Sequence, residues 1–190
     1  MSLSTRVIAA LGAVVVIGAG TVGGSIAYAS GKDEPKGKSA TLVVGRSSIT
    51  SQPHGKFCYN DGKPLDEQAQ AKCQESAAEA RKKGTLPTLD VKVSDRIGVG
   101  VDPEVADKGW FAFTDGGQQQ RATLASTRTG STFSGLLPAS GLLASTEKTT
   151  VTVVEANEKT GDIISVWYFQ LKNEDAVGEQ QQQPAAQQSQ

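Results

Sequence analysis

His54 is the only histidine in this 190-residue chain, and Cys58 and Cys73 are its only cysteines. An imidazole and two thiolates could serve as ligands to Zn or Cu. A closed site needs a fourth donor, and no second histidine or well-placed carboxylate supplies one. The two sulfurs read more simply as a disulfide if the chain is exported, because that compartment is oxidising. Closing a loop of this length stabilises by roughly 3 kcal/mol on the chain-entropy model. His54 lies in Ser51-Gln-Pro-His-Gly55, a loop by composition. A hydrolytic triad needs a base beside a nucleophile, and no G-x-S-x-G turn exists to present one. Asp102, Glu104 and Asp107 could be paired carboxylates or a calcium site. Their spacing suits the start of a short helix better, and no D-x-D-x-D-G loop is present. Gly18, Gly20 and Gly23 fit the dinucleotide fingerprint, but the strand-helix-strand context that gives those glycines their role is missing. The residues therefore assign no catalytic group, no metal and no cofactor.

Those glycines belong to a different kind of element. From Val7 to Ala29 no residue is charged, and Arg6 is the only charged side chain before it. As a helix this stretch is about as long as a bilayer core is thick. It ends on Ala27-Tyr28-Ala29, a small-x-small pattern of the kind signal peptidase cuts. Residues 1–29 thus read as a hydrophobic helix that is either a cleaved signal peptide or a retained anchor through residues 7–29. Both place the rest of the chain outside the cytoplasmic membrane.

Composition bounds the remainder of the chain. Ser30 to Ser39, rich in Gly, Lys and Ser, reads as a linker (30–39). The segment 174–190 is Gln-rich, and from Gly178 it holds no apolar residue larger than proline, so it is expected to be disordered. Between them, 40–173 is enough for one domain with a core and not for two. A net charge of −1 with both signs mixed along the chain argues against nucleic acid as a partner.

Within 40–173 one helix stands out, from Asp66 as N-cap to Arg81-Lys82-Lys83 in the last turn and Gly84 as the stop. Leu65, Ala69, Cys73, Ala77 and Ala80 form its small-residue face, so the disulfide would pin it to the loop around Phe57 and Tyr59. Thr41 to Arg46 is the first strand. Leu89, Val91, Val93, Ile97, Val99 and Val101 occupy alternate positions, with Ser94-Asp95 dividing them into two strands whose apolar side faces the core. Asp102-Pro103-Glu104 opens a single helical turn stopped at Gly109. Trp110 to Phe113 is an aromatic strand in which at least one ring must point away from the core. Trp110, at its start, is the candidate contact residue, against the plainer reading that it fills the end of the core. Arg121 to Arg128 is a polar edge strand. Ser134 to Ala144 is a loop. Thr150–Glu155 and Ile163–Leu171 form the last hairpin, the second strand central in its sheet because it is apolar on both faces.

Some seven short strands with one surface helix predict a mainly β fold: an immunoglobulin-like antiparallel β-sandwich, preceded by the N-terminal hydrophobic helix. The immunoglobulin core disulfide is absent, because Cys58 and Cys73 flank a helix start.

Cys58-Tyr-Asn-Asp-Gly-Lys63 with Cys73, Asp95-Arg-Ile-Gly98, Val101-Asp-Pro-Glu104, Gly109-Trp110, Val153-Val-Glu155 and Trp167-Tyr-Phe-Gln-Leu171 together carry a family resemblance. Over about residues 40 to 172 the chain resembles an actinobacterial family of exported or lipid-anchored proteins, known only as a domain of unknown function. Many members have a lipobox cysteine after the signal, and this chain has none near residue 29. The resemblance implies an envelope location and the disulfide, and brings no activity, ligand or catalytic residue.

The functional expectation is a non-enzymatic cell-envelope protein, on the membrane's extracytoplasmic face or secreted, binding another envelope protein or a cell-wall component. The alternative is a small-ligand or metal carrier of cupredoxin-like shape.

Overall fold

A computed structural model describes residues 38–117 and 121–176. The hydrophobic segment of residues 1–29, most of the linker and the tail from residue 177 lie outside the described residues. Among the described residues, no helix is long and apolar enough to cross a membrane.

The fold is mainly β, with two sheets packed face to face. Strands β1 (Ala40–Val44), β2 (Ser47–Ser51), β4 (Arg96–Val101) and β7 (Leu137–Pro138) make the smaller sheet, in the order β2-β1-β4-β7. The larger contains β3 (Thr88–Val91), β5 (Trp110–Thr114), β6 (Ala122–Arg128), β8 (Lys148–Ala156) and β9 (Ile163–Asn173), in the order β3-β9-β8-β5-β6. Each sheet contributes alternate residues to one core. Leu42, Val44, Ile97 and Val99 come from the smaller; Trp110, Val151, Val153, Trp167, Phe169 and Leu171 come from the larger. This is the layering expected of an immunoglobulin-like sandwich.

The antiparallel expectation needs one correction. β3 pairs with β9 in parallel, Leu89 opposite Leu171 and Val91 opposite Asn173. The two alternating segments split at Ser94-Asp95 therefore enter different sheets, β3 the larger and β4 the smaller. Val93, expected inside, falls in the turn between them and is 45 % exposed. A further strand, β2, has no clear sequence signal, because Ser-Ser-Ile-Thr-Ser shows little apolar alternation. It is an edge strand, and only Ile49 packs toward the core.

Helix α1 (Glu67–Lys83) follows its sequence signals. The Asp66 carboxylate accepts from the Ala69 backbone N–H at 2.7 Å. Gly84 closes the helix at φ 67°, a left-handed conformation that costs glycine little. Cys73, Ala77 and Ala80 are its buried face, and it docks on the outer side of the larger sheet. β9 is thus apolar on both faces for a clear reason: one meets the core and the other meets the helix layer.

Helix α2 (Pro103–Lys108) has the expected bounds, Asp102 before it and Gly109 after it, but Asp102 does not cap it with its side chain. The Asp102 carboxylate accepts instead from the Ser39 hydroxyl, at 2.9 Å from Oδ1, and from the Ser39 backbone N–H. Both ends of the domain also pack further than the sequence reading placed them. Lys38, assigned to the linker, is buried at 8 % exposure. Asp175, assigned to the tail, accepts the Val93 N–H at 2.7 Å.

Candidate functional site

The sandwich carries a second, smaller apolar cluster on the outer face of the larger sheet. Its centre is Cys58, Leu65, Cys73, Val154, Ala156 and Val166. Cys58 and Cys73 form the disulfide, with Cα atoms 4.9 Å apart and both residues buried. The loop that carries Cys58 is in turn stitched to β9. The His54 N–H donates to the Val166 carbonyl at 3.0 Å, and the Val166 N–H donates to the Cys58 carbonyl at 3.0 Å. The disulfide therefore anchors one flank of α1 to the sheet rather than to a free loop.

This anchoring leaves a groove. Cross-strand pairing places Tyr168, Thr152, Phe113 and Thr123 in one row, with Val166, Val154 and Phe111 in the next. The middle strand, β8, presents short side chains outward at Thr150, Thr152 and Val154. Long ones rise beside it: Phe111 and Phe113 on β5, Tyr168 on β9, and α1 above β9. Two adjoining clefts of about 180 and 220 Å³ result, both lined by Gln74, Thr152 and Tyr168. Their shared floor from Thr150 to Val154 runs about 14 Å at strand spacing.

The two ends differ chemically. At one end the Phe111 and Phe113 rings lie stacked, with centroids 6.2 Å apart, and the Arg121 guanidinium covers Phe113 at 4.1 Å. At the other, Arg81 of α1 reaches Asp115 after β5 at 3.2 Å and bridges the groove walls. Tyr168 is half-buried between them. Burial pushes its phenol above the usual tyrosine range, so the O–H is a donor at neutral pH.

Trp110 is not a contact residue. It is fully buried, and its indole N–H donates to the Ser131 carbonyl at 2.7 Å. Strand pleating explains the correction: Trp110 and Ala112 share the inward face, which turns Phe111 and Phe113 outward. The sequence requires one ring to face out, but the sign of the alternation depends on the register with β8. His54 packs edge-on against Tyr168, with centroids 5.9 Å apart, and this contact pairs it with a phenol ring rather than a nucleophile. With both sulfurs bonded to each other, neither is available as a thiolate ligand. Among the described residues, no group of three or more His, Cys, Asp or Glu side chains is placed to hold a metal ion.

A buried charge cluster lies outside the sites that the sequence reading singled out. Glu155 has no exposed surface, and it meets the Lys38 ammonium directly. The Ser165 hydroxyl donates to its Oε2 at 2.8 Å, and the Lys108 Nζ lies 3.9 Å from Oε1. Burial, then the neighbouring Lys38, pulls the Lys108 ammonium below the usual lysine range; Glu155 and Glu104 oppose that shift. The one signal in the sequence is a lone carboxylate at the end of Val151-Thr-Val-Val, where an inward acid must find a partner.

Compared with family models, curated proteins and solved structures, the chain matches none.

Proposed function

We propose that this chain is a non-enzymatic binding module of the cell envelope, and that the groove between α1 and β5 is its binding surface. The observation that carries the reading is the pair of outward rings, Phe111 and Phe113, standing beside a helix that a buried disulfide fixes in place. A wall that cannot drift gives a preformed concave surface, which lowers the ordering cost of binding. The uncharged segment of residues 7–29 and the Cys58–Cys73 bond both support an extracytoplasmic address, by membrane insertion and by oxidation respectively. The resemblance to the actinobacterial exported family points to the same compartment. The partner in this reading is another envelope protein or a cell-wall component.

The test is a cross-linked pull-down of the full chain from envelope extract, run beside Gln74→Trp, whose exposed site overhangs both clefts. Loss of the captured species from the variant supports the reading. An unchanged set removes the groove from it. A cytosolic chain with both sulfurs open to alkylation overturns the compartment as well.

A further inference from the structure

The groove's chemistry narrows what it takes, if it is the binding surface of the proposed module. We infer that its Phe111–Arg121 end receives the C-terminal residue of a partner polypeptide, an apolar side chain carrying a free carboxylate.

Three observations carry this. The cleft there, at about 180 Å³, is smaller than the roughly 300–1,000 Å³ of sites for drug-sized molecules, and suits about one large side chain. Its lining is apolar for the greater part, with Phe111, Val154, Ile163 and Val166 among the apolar side chains and Thr152 and Gln74 among the polar ones. Its rim is cationic without compensation. Arg81, on the same groove, has Asp115 as partner, whereas Arg121 has no carboxylate within ion-pair distance among the described residues. Arg121 is exposed, its guanidinium carbon lies 4.1 Å from the Phe113 ring centroid, and no hydrogen bond among the described residues engages its N–H edge. That edge is the part of a guanidinium that takes a carboxylate in two parallel hydrogen bonds. A flat cation beside an apolar hole of one side chain's size complements an apolar residue ending in an anion. The remainder of the groove, past Tyr168 to Thr150, gives the preceding residues somewhere to lie.

The experiment is fluorescence anisotropy with the full chain and a labelled pentapeptide ending in phenylalanine, as the free acid and as the C-terminal amide. The free acid is expected to bind about tenfold more tightly than the amide, as for one charge-assisted contact at a solvent-exposed rim. In Arg121→Gln that difference should vanish. Gln74→Trp should weaken both peptides, and circular dichroism establishes that each variant keeps its fold. Equal binding of acid and amide, with loss in Gln74→Trp, overturns the carboxylate assignment while leaving the groove as a binding surface. Competition by 3-phenylpropionate at the peptide's own affinity overturns the polypeptide source in favour of a small free acid. No binding of either peptide by the folded wild-type chain overturns the inference, while the pull-down decides the binding surface separately.

Discussion

The ammonium of Lys38 rests on the carboxylate of Glu155, a residue 117 positions later in the chain, and the contact is buried on both sides. Lys38 thereby nails the start of the domain into the larger sheet. Breaking one member of a buried pair strands the other charge, at a cost of about 3–5 kcal/mol. Lys38→Met is expected to lose that much in urea unfolding, even though Lys108 stands 3.9 Å away. Lys38→Met combined with Glu155→Leu should recover most of it, because both buried charges are gone and the remaining ammonium, Lys108, reaches water. Equal stability of the single variant and wild type would show that the pair contributes nothing.

The disulfide spans 15 positions and anchors only one flank of α1. Reduction should cost roughly 3 kcal/mol. The loss should be local at first, with hydrogen exchange accelerating in α1 and in 54–65 before the core strands do the same. Uniform acceleration across both sheets would mean that the helix layer is not a separate unit.

Gly98 lies on β4 beneath Phe133. A Cβ built there would sit 2.7 Å from the Gly135 carbonyl oxygen and 2.9 Å from the Phe133 ring. Gly98→Ala should destabilise by about 1–3 kcal/mol, as overpacking does, because the nearer atom is backbone and cannot swing aside. Gly98→Ala with Phe133→Ala relieves only the ring contact and should recover only part. Full recovery would place the whole strain on Phe133.

Tyr168 predicts a pH effect of definite sign. Burial raises its phenol above the ordinary tyrosine value of 10.0. Above about pH 10 the unfolded chain has released a proton that the folded chain still holds, so stability falls as pH rises through that window. Lys108, lowered from 10.5, contributes in the opposite sense. The clean measurement is therefore wild type against Tyr168→Phe, whose stability difference should change between about pH 9 and 11 as unfolded Tyr168 ionises. In ultraviolet titration a phenol that ionises above the ordinary tyrosine value should disappear in the variant.

Most elements are readable because their signals are local. Asp66 and Gly84 bracket α1 through backbone hydrogen bonds that the sequence writes out, and Leu89, Val91, Ile97, Val99 and Val101 alternate as strands must. What stays hidden depends on partners far away in sequence. Nothing in Thr88–Val91 says that it pairs in parallel with β9, because periodicity fixes faces and not neighbours. Nothing near Trp110 says which ring faces inward until β8 sets the register. Lys38 reads as linker because lysines on a Gly-rich stretch are normally solvated; only Glu155 makes it part of the core. The disulfide is legible from two cysteines, while the groove beside it is not, since it arises from the shortness of Thr150, Thr152 and Val154 between taller neighbours.

The position of β9 also bears on how the molecule comes into being. Ile163–Asn173 is the last described strand to be synthesised, yet it lies between β3 and β8. A chain emerging amino-end first therefore holds an incomplete larger layer until its final strand arrives, and it must make sequence-distant pairings before any reward is collected. Long-range pairing of this kind is slow to form, which keeps the unfinished domain pliable until β9 has been made.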